Sequence, residues 1–210
     1  MRHELYADSR DVTKWSVCVQ LAHEFDLGRI LQVAMLTKEK GRGEGLHHVD
    51  AHTSEPVVTK FFEAERKQLA QLPGNQRLER VKALGPLLSP PVEIAVFGRA
   101  LKDRGYYFDD LTQTLSAATQ PTLVFLDPDT GFAPPLSERH VDQTEVRRVF
   151  MAMPLSSVVA AFQYNRRESA SSCLSFAAAA LSSALTGLTF SMVANTYEHP
   201  VAIVAARKAS

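Results

Sequence analysis

Cysteine is nearly absent from this 210-residue chain, and its two copies, Cys18 and Cys173, stand far apart. They form no metal-ligand pair and read as two buried, reduced thiols of a cytosolic protein. An excess of either charge is missing too, since 23 Lys plus Arg balance 23 Asp plus Glu. A zero net charge excludes coating nucleic acid by bulk charge, though not a local basic patch. Long apolar runs are also lacking. The nearest, Ser169 to Val193, is broken by Ser, Thr and Gly187 and is no membrane span. Arg2-His3-Glu4-Leu5 follows Met1 where a signal peptide would carry apolar residues, so the expected location is the cytoplasm, away from membranes. There is no G-x-G-x-x-G, and His47, His48 and His52 match no zinc signature. Internal repeats are absent. What is present is a 45% apolar fraction, enough to build the core of one globular domain over residues 1–210.

Leu123-Val124-Phe125-Leu126-Asp127-Pro128-Asp129-Thr130-Gly131 organises the rest. Its continuous apolar run predicts a strand buried on both faces. Pro128 cannot donate a ladder hydrogen bond, so pairing should stop there, and Gly131 permits a turn with positive φ. Asp127 and Asp129 are thereby held at a strand's carboxyl end, where open α/β sheets bind ligands. Asp, Pro, Thr and Gly are also ordinary turn residues, which leaves a plain strand-to-loop turn as the alternative.

Val12, Trp15, Val19 and Ala22 predict a helix over residues 8–27, capped by Asp8 or Ser9 and ended by Gly28. Asp11 and Lys14 share a face, either as an exposed ion pair or with Lys14 pointing into a ligand site. Ile30 to Leu36 reads as the first strand. An irregular loop, 37–56, follows it and carries Gly41, Gly43 and Gly45. Further helices are expected over 57–72, 77–84, 109–118, 139–153 and 169–185, and strands over 92–97, 156–162, 188–196 and 201–205. Arg104 to Phe108 reads as a loop whose Arg and aromatics could stack a base or could cover the next helix. The short connection Tyr197-Glu198-His199-Pro200 makes the last two strands an antiparallel hairpin.

This element order resembles the second half of Rossmann-like methyltransferases that use S-adenosylmethionine, whose sheet ends with one antiparallel strand inserted beside the parallel ones. Asp127-Pro128-Asp129-Thr130 is similar to the Asp-Pro-Pro-Tyr motif of the amino-methylating branch, without its aromatic. Asp8 to Trp15 resembles, through Asp11, Val12 and Lys14, an Asn-His-Ala-Asp-Val-Leu-Lys-His segment of bacterial ribosomal-RNA adenine methyltransferases. Asp-x-x-Lys-Trp together with Leu-Asp-Pro-Asp-Thr-Gly also resembles a further set of bacterial proteins.

The resemblance implies an α/β fold: one Rossmann-like three-layer α/β/α domain, its sheet mostly parallel with a C-terminal antiparallel hairpin. It implies S-adenosylmethionine as cofactor, beside Asp11, Lys14 and Thr37. Asp127, Pro128 and Asp129 would be catalytic, with Asp127 and the Pro128 carbonyl accepting hydrogen bonds from an amino group on a nucleic-acid base or related nucleotide. Tyr107, His140, Tyr164, Arg166 and Arg167 would bind that substrate, with Tyr164 or Tyr107 supplying the stacking ring. Two other classes compete. Asp127 and Asp129, with Asp11 or Asp8, could hold magnesium in a nuclease or phosphatase. A methyltransferase fold without its cofactor loop could instead serve only to bind a partner. The haloacid-dehalogenase opening Asp-x-Asp-x-Thr is similar as well, but Thr130 comes one position early and no Asp-Asp pair follows.

Overall fold

The computed structural model describes residues 6–37, 55–71, 76–132, 137, 139–164, 170–185, 190–195 and 201–209. Helix α1 (Ser9–Glu24) starts where the Asp8 carboxylate accepts the Asp11 N–H at 3.0 Å. It ends differently from the sequence expectation. Asp26, not Gly28, takes the left-handed position, with φ 53°. The Leu27 N–H then reaches back to the Ala22 carbonyl and the Asp26 N–H to that of His23, a Schellman closure.

Strand β1 (Arg29–Ala34) follows, then α2 (Pro56–Gln68), which Pro56 opens at its first turn. Residues Leu78–Leu87 wind as a 3-10 helix that runs through Pro86 into β2 (Glu93–Phe97). Helix α3 (Arg104–Ser116) begins five residues before the expected start, because Asp103 caps it through the Tyr106 N–H. The loop expected at 104–108 is therefore the first turn of that helix.

Strand β3 (Leu123–Asp127) is buried along its whole length. Two short strands, β4 (Gly131–Phe132) and β5 (His140–Val141), then pair with each other. That pairing delays α4 (Gln143–Ala152), which a capping box between Asp142 and Glu145 opens. Strand β6 (Val158–Tyr164), helix α5 (Ala170–Ala184) and strands β7 (Phe190–Asn195) and β8 (Val201–Arg207) complete the chain.

The six-stranded sheet has the order β2-β1-β3-β6-β8-β7. Strands β2, β1, β3 and β6 are mutually parallel, and β8 lies antiparallel between β6 and β7. This is a Rossmann-like three-layer sandwich. One face packs on α1, α2 and the 3-10 segment, and the other on α3, α4 and α5. From β1 the chain goes outward to β2 and returns to β3 on the other side. The strand order therefore reverses between β1 and β3, the place where such sheets form a crevice.

Strand parity decides what enters that crevice. Ile30 and Ala34 of β1, Leu123 and Phe125 of β3, and Phe162 of β6 face α1. Gln32, Asp127 and Tyr164 share their parity and so face α1 too. No helix among the described residues is long and apolar enough to cross a membrane.

Candidate functional site

Lys14 and Asp127, 113 residues apart, meet at the carboxyl end of the sheet with Nζ 2.9 Å from Oδ1. Asp127 has no exposed surface and Lys14 only 7%. The pair is thus a buried one, not the exposed helical pair that the Asp11–Lys14 spacing also allowed. Asp11 lies 3.5 Å from the same ammonium. The Gln32 amide donates to the other Asp127 oxygen at 2.9 Å. A strand, its neighbour and a helix thus each supply one polar group to a shared contact. The Phe162 ring lies under the ammonium, 4.1 Å from Nζ to the centroid.

Charge in this cluster is strongly coupled. Burial pushes the Asp11 carboxyl up to about 7, with Lys14 pulling it down and Asp8 and Asp127 adding to the rise. For Lys14, burial works against the charged form, but Asp127, Asp11 and Asp8 outweigh it and the net shift is upward. The amine is therefore a firm cation rather than a nucleophile. Burial, then the Asp127 charge, raises the Cys18 thiol well above its usual range.

Beyond Asp127 the chain turns through Pro128 and Asp129, which with Asp8, Arg10, Asp11, Lys14 and Phe162 line a narrow cleft of about 20 Å³. That is room for about one water molecule. Arg139 holds Asp129 at 2.6 Å, and the Arg139 carbonyl accepts from the Thr130 hydroxyl and N–H. Gly131 needs its freedom here. Its φ is +102°, and a Cβ would lie 2.3 Å from the Gln163 Oε1 that accepts the Phe132 N–H. Tyr164 closes the turn by donating its N–H to the Thr130 carbonyl.

The other expected residues divide. Tyr164 does not line the cleft itself, but the Arg10 guanidinium, which does, lies 4.3 Å from its ring centroid and donates to its hydroxyl at 3.1 Å. Thr37 is at the carboxyl end of β1, half-buried. Tyr107 is 3% exposed in the core of the opposite face, its hydroxyl donating to the Ala34 carbonyl, so no base stacks on its ring. His140 lies in β5, its Nδ1 2.7 Å from the Ser137 hydroxyl. Burial and the neighbouring Arg139 and Arg104 lower its pKa against the pull of Asp129. Arg166 and Arg167, and the loop histidines His47, His48 and His52, fall outside the described residues.

Two contributors were not anticipated. Arg10 sits one helical turn before Lys14, and Gln32 is an amide inside an otherwise apolar strand. Their signals were the i,i+4 spacing and the single polar residue in Ile-Leu-Gln-Val-Ala.

No group of three or more His, Cys, Asp or Glu side chains among the described residues converges to hold a metal ion. Between Asp11 and Asp127 the cation is the lysine itself. On the other side of the sheet a larger cavity of about 480 Å³ opens against Phe132, Val141, Asp142, Gln143, Thr144 and Phe176. Among the described residues, no cationic side chain lines it.

No family model matches the chain, and no curated protein does. Among solved structures, it is similar to a DUF574 family protein from Streptomyces avermitilis, with 14% identity over 95% of this chain and 82% of that one, at a TM-score of 0.42. It is also similar to the S-adenosylmethionine-dependent methyltransferase SibL, with 14% identity, 93% and 56% coverage and a TM-score of 0.38. The N-methyltransferase NodS from Bradyrhizobium japonicum matches at 8% identity, 94% and 98% coverage and a TM-score of 0.35. Likenesses this loose assign no chemistry to the chain.

Proposed function

We propose that the protein is an S-adenosylmethionine-dependent methyltransferase acting on an amino group of a nucleic-acid base or a related nucleotide. The observation that carries this reading is the convergence of Asp127-Pro128-Asp129 and Lys14 at the sheet's reversal point. These are the two segments whose sequences resemble such enzymes. The inserted antiparallel strand β8 agrees with it.

The polar groups at the cleft match that cofactor in charge, while the cleft's volume of about 20 Å³ means that it must widen to admit the cofactor. The cofactor carries an ammonium, a carboxylate and a sulfonium, and the cleft offers Asp8, Asp11 and Asp129 together with Lys14 and Arg10. Asp11, Lys14 and Thr37 are the residues that would hold it. When bound, it supplies an electrophilic methyl group on the sulfonium.

The chain's own contribution is positioning. Asp127, expected from the sequence to accept a hydrogen bond from the target, is fully buried with both oxygens taken by Lys14 and Gln32, and instead fixes the direction of the strand end and of the lysine. Pro128 and Asp129, which line the cleft, face the target. The Pro128 carbonyl and the Asp129 carboxylate would accept the two amino hydrogens and turn the nitrogen lone pair toward the methyl group. Tyr164 would stack the base. In a duplex that base must first be flipped out.

A thermal-shift assay tests the reading. Melting should rise with S-adenosylmethionine and with its homocysteine product, and should not move with magnesium. A shift with magnesium alone would replace this reading with a metal-dependent hydrolase. No shift with any of them would leave a binding protein.

A further inference from the structure

Helix α1 and strand β6 are joined by two cation–aromatic contacts in register. Arg10 lies over Tyr164, and Lys14 over Phe162. The spacing works because four helical residues rise about 6 Å, close to the roughly 6.6 Å spanned by two strand residues. The inner rung is closed, with its ammonium taken by Asp127 and Asp11. The outer rung is different. Among the described residues no carboxylate pairs with Arg10, and both Arg10 and Tyr164 are partly exposed.

The two halves of the outer rung also differ in how firmly they are held. Tyr164 is pinned through its backbone, by its N–H to the Thr130 carbonyl at 3.1 Å and by the Gln163 amide to its own carbonyl at 3.2 Å. Arg10 is held by the ring and the hydroxyl it rests on. The guanidinium is the half that can leave. While it lies there, the cleft has about 20 Å³ and Tyr164 has no open face toward α1 for a base.

We propose that Arg10 makes this site select nucleotides over nucleosides. The planar base takes the guanidinium's place on Tyr164, and the displaced guanidinium pairs with the ligand's phosphate. An unphosphorylated base must displace Arg10 without bringing an anion of its own to receive it. A phosphate gives the fork a bidentate partner. The alternatives nearby are already engaged: Asp8 caps the α1 N-terminus, and Arg139 is paired with Asp129. The inference rests on a base being the substrate.

Calorimetric titration with adenosine 5′-monophosphate and with adenosine tests it on the full chain. The native protein should bind the monophosphate at least tenfold tighter, and that advantage should shrink as salt is raised. Arg10→Met keeps an unbranched apolar stem over Tyr164. It should bind adenosine as well as or better than the native protein and lose the preference for phosphate. Tyr164→Leu should weaken both ligands. The inference is overturned if the native protein shows no preference, or if Arg10→Met retains it. It is equally overturned if Arg10→Met weakens both ligands alike, the mark of a purely structural residue. The salt series on the native protein decides the matter even if that variant fails to fold. If neither ligand binds, the nucleotide selection fails, while the thermal shift with S-adenosylmethionine still judges methyl transfer separately.

Discussion

Replacing Lys14 by Met should cost more than replacing Asp127 by Asn, although the two residues share one ion pair. At an effective dielectric near 20, unit charges at the observed 2.9 Å and 3.5 Å attract by roughly 6 and 5 kcal/mol before desolvation is subtracted. Removing one member of a buried pair leaves the other charge uncompensated, a loss of about 3–5 kcal/mol. Lys14→Met strands two carboxylates, Asp127 and Asp11, and belongs at the upper end, about 4–5 kcal/mol. Asp127→Asn leaves Lys14 with Asp11 and belongs near about 3 kcal/mol. The double change Lys14→Met with Asp127→Leu should cost less than the sum, because Asp127 is no longer stranded and only Asp11 is left without its cation. It still deprives the Gln32 amide of its acceptor, at about 1–3 kcal/mol. Urea unfolding at a pH above 7, where Asp11 is ionised, followed by Trp15 fluorescence measures all of these. Trp15 is the sole tryptophan, 1% exposed, with its ring edge-on to Phe125 in the same layer. A cost for Lys14→Met below about 1 kcal/mol, the range of exposed pairs, would refute the burial on which the site rests.

Other outcomes follow from the same cluster. Because Asp11 is raised from 3.8 to about 7, the folded state holds a proton there that the unfolded state has lost. Its contribution to stability is greatest below about pH 4, falls as pH rises toward 7, and is level above that. Asp11→Asn should remove that slope, which is read as the native-minus-variant difference in unfolding free energy across the window. Gly131→Ala must hold φ near +102° and push back the Gln163 amide, so it should destabilise by about 2 kcal/mol or more, seen as a lower melting temperature. Cys18 and Cys173 are both buried, so a thiol reagent should label neither in the native protein and both in denaturant. Labelling of native Cys18 at the rate of a free thiol would mean that α1 lifts from the sheet.

How much of this was legible in the sequence depends on how local each signal was. The buried strand ending in Asp-Pro-Asp could be read because a continuous apolar run and a proline are both local marks. Lys14 could be placed on a helix face with Asp11, but only pairing with β3 shows that this face is turned inward. Gln32 and Asp127 meet because β1 and β3 are neighbours in a particular register, with Ala34 opposite Asp127. Spacing along the chain does not contain that. Tyr107 was misjudged for a local reason. Gly105 suggested a loop, while Asp103, three residues before Tyr106, was already an N-cap. Gly28 was credited with ending α1, but a left-handed Asp26 does so, one of the few residue types that tolerate that conformation.

A buried ion pair is weak evidence for stability in itself, since apolar residues of similar size often serve as well. The Lys14–Asp127 contact therefore calls for another reason. Its geometry supplies one. The pair fixes how α1 lies across the sheet, and α1 carries Asp8, Arg10 and Asp11, which face Pro128 and Asp129 across the cleft. An apolar substitute would keep the helix packed but would not set its register along β6, because leucine and methionine slide over one another where charges at 2.9 Å do not. The apolar double variant should accordingly be less destabilised than Lys14→Met alone yet bind adenosine 5′-monophosphate much more weakly than the native protein. Equal binding by both would mean that the ion pair has no part in arranging the rim.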